Sequence, residues 1–375
     1  MVCKGITVTA LFESAALNRD EKVGGNVPSI KKLARGSGVY SYFSRQSIRH
    51  HLFTTLQYRY NDWKPAPVTL AGDRDNKVIQ FAFPEANILD YPEMDLFGYM
   101  NTDASGRPTR KAPLGITKAV SIEPWQADMS FGANHDMVAR YRQRGEKAEP
   151  NPYVKEEHYS FYRVSFTLDL YRFGYDEYLY KNDKKEPKVP DALKELIDTR
   201  TLPVKKDEDV KKIASWAQNR ISDLGEDVEW RKYDSQGEII GLIGVSPEIG
   251  RAVFVVADAE RRKRLAEIVS VLKNGMMLHA SGESYGIVPQ FLIIGCLTIP
   301  VPVFNSFVTL KDGAIDAMQL NRVLTDNDYI LRAFVSSTLP FSKEWEAKAR
   351  EKLDQEISID TIVNCCLTGA DGGTK

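Results

Sequence analysis

The five histidines and four cysteines are the side chains best suited to acid–base or metal chemistry, and their spacing in the sequence favours neither. His50 and His51 are adjacent, so on a helix they project about 100° apart and do not easily address one phosphate together. His135, His158 and His279 have no recognisable catalytic neighbours, whereas a histidine-based ribonuclease needs a general acid and a general base. Cys3, Cys296, Cys365 and Cys366 form no CxxC pair and sit at no metal-ligand spacing from a histidine, so no zinc site, no other metal and no cofactor is expected. Carboxylates are plentiful, but none stand in an HExxH or DxDxDG pattern.

Basic and small polar residues are more informative. Lys31, Lys32, Arg35, Ser44, Arg45, Gln46 and Arg49 follow one another in a stretch that opens with Asn18 and Arg19 and is punctuated by glycine. A single-stranded RNA needs these parts: cations for phosphates, polar groups to fix its path, and glycine where backbones approach closely. A solvated basic loop is the plain alternative. A second cluster, RPTRKAPLGITK at 107–118, carries Arg107, Arg110, Lys111 and Lys118 with no acid between Asp103 and Glu123. Its prolines and glycine suit a β-hairpin tip touching phosphates, or a hairpin whose charge merely aids solubility. The turn GESYG at 282–286 is neither a Walker motif nor a dinucleotide fingerprint and reads best as a connector.

These residues must be held by a frame. With 50 Lys and Arg against 51 Asp and Glu, the net charge of -1 carries no global signature of a nucleic-acid binder, so such a function must come from local clustering. The start lacks a basic n-region with a following apolar run, and the apolar stretch 287–307 is broken by prolines and polar residues, so a cytoplasmic protein without a membrane span is expected. Ile6–Phe12 reads as a strand, followed by a long connection to Gly38. Ser44 caps a helix running to about Gln57, with Ile48, Leu52 and Leu56 on its buried face and Gln46, Arg49, His50 and Phe53 beside them. Hairpins and loops fill 61–152, with strand-like runs at 78–83 and 116–122, and 158–173 is a long aromatic strand whose rings could stack bases but whose alternation favours core. Beyond a charged linker at 181–188, helical periodicity marks 190–198 and 208–224. Asp234–Gly237 turns between strands 228–233 and 239–245, and 251–257 is a further strand. A helix over 259–273 points Leu265, Ile268, Val269 and Leu272 inward, and 291–299 is a late core strand.

With insertions set aside, the order is strand, helix, strand, strand, helix, strand. The expected fold is α+β: a modified RRM or ferredoxin-like fold in a single domain over 1–375, with approximate insertions at 59–157 (hairpins) and 181–225 (a helical wing).

Three stretches go beyond composition: ESAALNRDE with GGNVPSIKKLARGSG at 13–38, VYSYFSRQSIRHHL at 39–52, and LGITKAVSIEPWQADM at 114–129. Together they resemble the DevR-type backbone subunits of type I-B CRISPR Cascade interference complexes, the serine–arginine–glutamine helix start being the most specific part. The resemblance implies a non-enzymatic protein that binds guide RNA (crRNA) and stacks with neighbouring copies of itself into a filament. Its other partners would be the large subunit, the small subunit and the subunit capping the crRNA 5′ end. Target DNA is then met through the guide heteroduplex, with base pairing supplying the specificity. Ser44, Gln46 and Arg49 match the family's RNA-facing helix, with Arg45 a further candidate, and the connection from Asn18 to Arg35 matches the loop beside the guide. Lys111 and Lys118 are candidate thumb contacts. Type III relatives cut RNA with an aspartate in the palm; Asp20 lies in a comparable connection, but the surrounding text follows the non-cleaving branch, so Asp20 reads as non-catalytic. Two rivals stay open: an RNA endonuclease of the same superfamily, and a solitary single-stranded RNA-binding module.

Overall fold

The first strand, β1 (Gly5–Ala15), is the middle of everything that follows. Its alternation sends Ile6, Val8, Ala10 and Phe12 into the main core, while Thr7 and Thr9 point the other way and hydrogen-bond Thr167 (3.1 Å) and Ser165 (2.7 Å) on the neighbouring strand. The computed structural model describes residues 2–19, 28–36, 38–72, 77–102, 108–181, 188–204, 207–225, 227–280 and 282–367.

β1 pairs antiparallel with Tyr159–Asp169 on one side and with Phe291–Leu297 on the other. Beyond Tyr159–Asp169 lie the short strands Leu114–Ile116 and Ala119–Ser121, and then a hairpin of Lys32–Arg35 and Gly38–Phe43. Beyond Phe291–Leu297 come Ile330–Ser337 and, parallel to it, Leu353–Asp354. The four central positions therefore run 291–297, 5–15, 159–169, 114–121, all antiparallel. Both helices foreseen in the sequence cover one face of this sheet. Helix α1 (Arg45–Arg59) buries Ile48, Leu52 and Leu56 completely, and the helix Asp258–Asn274 buries Leu265, Ile268, Val269 and Leu272. The latter ends at Gly275, whose φ of 104° only glycine adopts readily. A third helix, Ile359–Leu367, joins the same layer, while Ala317–Asp326 and Ala347–Lys352 pack on the opposite face under Phe291, Ile293 and Val335.

A second sheet of five strands has the order 175–179, 251–256, 238–246, 229–235, 201–203. The turn read at Asp234–Gly237 is present: Gln236 and Gly237 take φ of 57° and 89°, and Asp234 Oδ1 accepts from Gly237 N at 3.0 Å. The helix Asp191–Arg200 lies on one face of this sheet, and three short pieces within 207–222, where the sequence suggests one helix, pack on the other.

Two readings of the sequence are corrected. The connection after residue 13 is not structureless: β1 continues to Ala15, Arg19 bridges Ile30, and 32–43 is a hairpin on the sheet edge. The aromatic run 158–173 is not one strand. It leaves the central sheet at Asp169, whose carboxylate accepts from Tyr171 N and Arg172 Nε at 3.0 Å each, and this turn sends the chain into the second sheet. Among the described residues no helix is long and apolar enough to cross a membrane.

Candidate nucleic-acid interface

The loop and helix singled out in the sequence meet at one edge of the central sheet. Lys31 links them through its backbone, donating its N–H to Asn18 O (3.1 Å) and accepting from Tyr42 N (2.9 Å). The Asn18 side chain accepts from Ser44 N at 2.7 Å, and Ser44 in turn caps α1, its hydroxyl accepting from Ser47 N at 3.2 Å. The first turn of α1 contains no acidic residue but does contain Arg45 and the exposed Gln46. A helix start carries partial positive charge, and here nothing negative on the helix offsets it. Lys118 is exposed and lies over the Tyr42 ring, 4.6 Å from its centroid. Arg35 is exposed at the hairpin turn. Neither Arg35, Arg45 nor Lys111 has a carboxylate partner among the described residues, and Lys111 stands apart at the other end of the 114–121 strands.

Sequence reasoning missed Arg163. It lies half-buried on the strand Tyr159–Asp169 and donates to Val308 O at 2.7 Å. Burial, and then the positive charge of Arg35, pull its pKa down. Its outward position in an otherwise buried, alternating strand was the available signal.

The chain matches the family model described as CRISPR-associated negative auto-regulator DevR/Csa2 over residues 6–319. It belongs to that family. A Myxococcus xanthus relative, CRISPR-associated protein Cas7/Cst2/DevR, is 27% identical over 165 residues, 41% of this chain and 53% of the relative, so the match spans about half the length of that protein. Among solved structures, a chain of a CRISPR RNA-guided surveillance complex in a pre-nicking state has the same fold, with a TM-score of 0.53 at 10% identity, covering 96% of this chain and 100% of that one.

Within this DevR/Csa2 protein, several cations of the sequence reading already have partners. Arg19 pairs with Glu283 at 3.7 Å; Lys32 pairs with Glu156 at 2.5 Å and lies 4.2 Å from the Trp125 ring centroid. Arg49 donates to Glu93 Oε1 at 3.2 Å and stacks on Phe97, 4.5 Å from the centroid. For these three, an RNA phosphate would compete with a carboxylate. The described part of the second cluster, 108–118, is not a free hairpin tip, which is a correction. Thr109–Arg110 pairs with Tyr99–Met100, the strands 114–121 lie in the central sheet, and Arg110 is buried against Asp95 (2.6 Å) and Asp176 (3.6 Å). Arg264 reaches the same Asp95 at 3.3 Å and binds the carbonyls of Ile88 and Leu89 at 2.7 Å, so this buried ion network ties the helix Asp258–Asn274 to residues 88–95 and, through Arg110 and Asp176, to the second sheet. Asp20 and Arg107 lie outside the described residues.

The rings of His50 and His51 lie 5.3 Å apart, and burial, then the neighbouring His50, push the His51 pKa down to about 4, leaving it neutral at pH 7. His158 Nδ1 hydrogen-bonds Ser41 Oγ at 2.7 Å inside the core. The cysteines, by contrast, do not stay scattered: Cys3, Cys296 and Cys366 are buried with their sulfurs within 4.8 Å of one another. Spacing along the chain did not reveal this grouping, because the three come from its start, its late core strand and its last described helix.

Proposed function

We propose that this protein is a guide-RNA-binding backbone subunit of a type I-B CRISPR surveillance complex, acting in the cytoplasm in several copies along the RNA and without cutting it. The observation that carries the reading is the joined loop and helix start, in which Asn18, Lys31 and Ser44 tie an acid-free helix N-terminus to the exposed cations Arg35 and Lys118 and the half-buried Arg45. Backbone N–H groups and cations so arranged bind phosphates without reading sequence, as a carrier of varied guides requires. Family membership and a fold shared with a surveillance-complex chain support the same reading. The antiparallel order 291–297, 5–15, 159–169, 114–121, with a helix after its first strand and another before its last, supports an RRM-like palm.

Two projecting hairpins supply surfaces for neighbours. Val68–Ala71 with Val78–Phe81 exposes Val68, Leu70, Val78 and Ile79, and Asp128–Ala133 with Pro152–Glu157 exposes Met129, Phe131 and Tyr153. Apolar exposure of this kind on a near-neutral protomer suits packing against further copies and other Cascade subunits, including those at the crRNA 5′ end.

Light scattering of the purified chain with guide RNAs of increasing length, at low and high salt and with RNA integrity checked, tests the proposal. Mass should rise in proportion to RNA length over intact RNA. A mass independent of length would indicate a solitary module, and shortened RNA an endonuclease.

A further inference from the structure

We propose that the chain carries a structural zinc site built on the buried triad Cys3, Cys296 and Cys366, with Cys365 turning in from the helix end as the fourth ligand, at the end of the central sheet opposite the candidate RNA surface. Cys3 precedes β1, Cys296 lies on Phe291–Leu297, and Cys365 and Cys366 lie in the last turn of Ile359–Leu367. The sulfurs of Cys3, Cys296 and Cys366 lie within 4.8 Å of one another, those of Cys296 and Cys366 only 3.4 Å apart; the half-buried Cys365 thiol, next along the chain to Cys366, stands outside this triad and must turn toward it to complete the set.

Zinc bound tetrahedrally at about 2.3 Å from each sulfur sets the sulfurs about 3.8 Å apart. The separations within the triad already bracket that spacing, so Cys3, Cys296 and Cys366 need only small side-chain rotations to reach it. Ordinary core packing explains one buried cysteine, because the thiol is a small apolar group. It does not explain why three of the four cysteines in 375 residues, drawn from three distant parts of the chain, share one place. The donor set is all sulfur, which selects a soft or borderline cation such as Zn2+ over calcium or magnesium.

Each thiol gives up its proton to water as it binds, so a four-thiolate zinc site bears two net negative charges. The site would pin the last helix and the start of the chain to the core strand. The eleven residues of β1 at about 3.3 Å each put it roughly 36 Å from the Asn18 loop, so it acts on folding and not on RNA contact.

The full chain, purified under reducing conditions, should contain about one zinc per molecule. The metal-free reduced chain should take up one Co2+ with the intense visible bands of tetrahedral thiolate coordination. Cys296→Ala and Cys366→Ala should abolish both signals. Because a core change can unfold the chain, Cys365→Ser serves as a milder variant: it should keep the wild-type circular dichroism and bind Co2+ at least tenfold more weakly. Zinc removal should lower the melting temperature while leaving the salt dependence of RNA binding unchanged. Four titratable thiols with no metal and no thiolate Co2+ bands would overturn the proposal. So would a Cys296–Cys366 disulfide found by mass spectrometry, or a Cys365→Ser variant with unaltered Co2+ affinity.

Discussion

Arg45 and Arg49 sit one helical turn apart, and the structure predicts opposite consequences for removing them. Arg49→Ala takes the guanidinium from Glu93 Oε1 and from the Phe97 face. Glu93 is 8% exposed and keeps only the N–H of Ala66, 3.1 Å from Oε2, among its hydrogen bonds in the described residues. A largely buried carboxylate that loses a charged partner costs about 1–3 kcal/mol, and the lost cation–π contact adds about 0.5–1 kcal/mol. Taking a total of about 2–3 kcal/mol and a urea m-value of about 3 kcal/mol/M, the unfolding midpoint should fall by roughly 0.7–1 M. Arg45→Ala removes no ion pair and should change stability by less than about 0.5 kcal/mol. Its effect should appear in RNA binding, where one lost phosphate contact lowers the slope of log affinity against log salt by about 0.7. Removing Arg35, Arg45 and Lys118 together lowers that slope by about 2, so the deficit against wild type shrinks roughly 20-fold over a fourfold rise in salt. Fluorescence anisotropy with one labelled guide across a salt series, beside urea melts of the same proteins, reads both effects. If Arg49→Ala lowers the salt slope as Arg45→Ala does while its urea midpoint stays at the wild-type value, the assignment of Arg49 to Glu93 is refuted.

Two further predictions concern the frame. Asp95→Asn keeps the shape but leaves the buried Arg110 and Arg264 without their shared carboxylate, which should destabilise the protein by about 3–5 kcal/mol in urea unfolding; a loss below about 1 kcal/mol would contradict the buried network. His51 has a folded pKa of about 4 against the ordinary 6.5, so between these values the unfolded chain binds the extra proton and the contribution of this group to stability falls as pH drops. His51→Phe should therefore flatten the decline of the urea midpoint from pH 7 to pH 5 relative to wild type; an unchanged decline would show that His51 titrates normally.

What the sequence determined by itself was local. The register that buries Ile48, Leu52 and Leu56, the cap at Ser44, the turn at Asp234–Gly237 and the inward face of 258–274 depend on neighbours within a turn or two, so periodicity and cap chemistry disclose them. That 6–12 and 291–299 are core strands was legible from their β-branched and apolar runs, while their pairing across the sheet was not. Only the tertiary structure decided which cations remain available. Lys32 and Glu156 are 124 residues apart and Arg49 and Glu93 are 44 apart, and no composition rule tells a phosphate-seeking arginine from one already paired. Arg110 reads as exposed because its neighbours in sequence are proline, lysine and threonine, yet packing between two sheets buries it on Asp95. The cysteines stayed scattered in the sequence and met in the fold because the first strand and the late core strand are hydrogen-bonded partners and the last described helix lies across them. Long-range charge pairing and ligand convergence are properties of how elements pack, and packing is what a linear pattern leaves open.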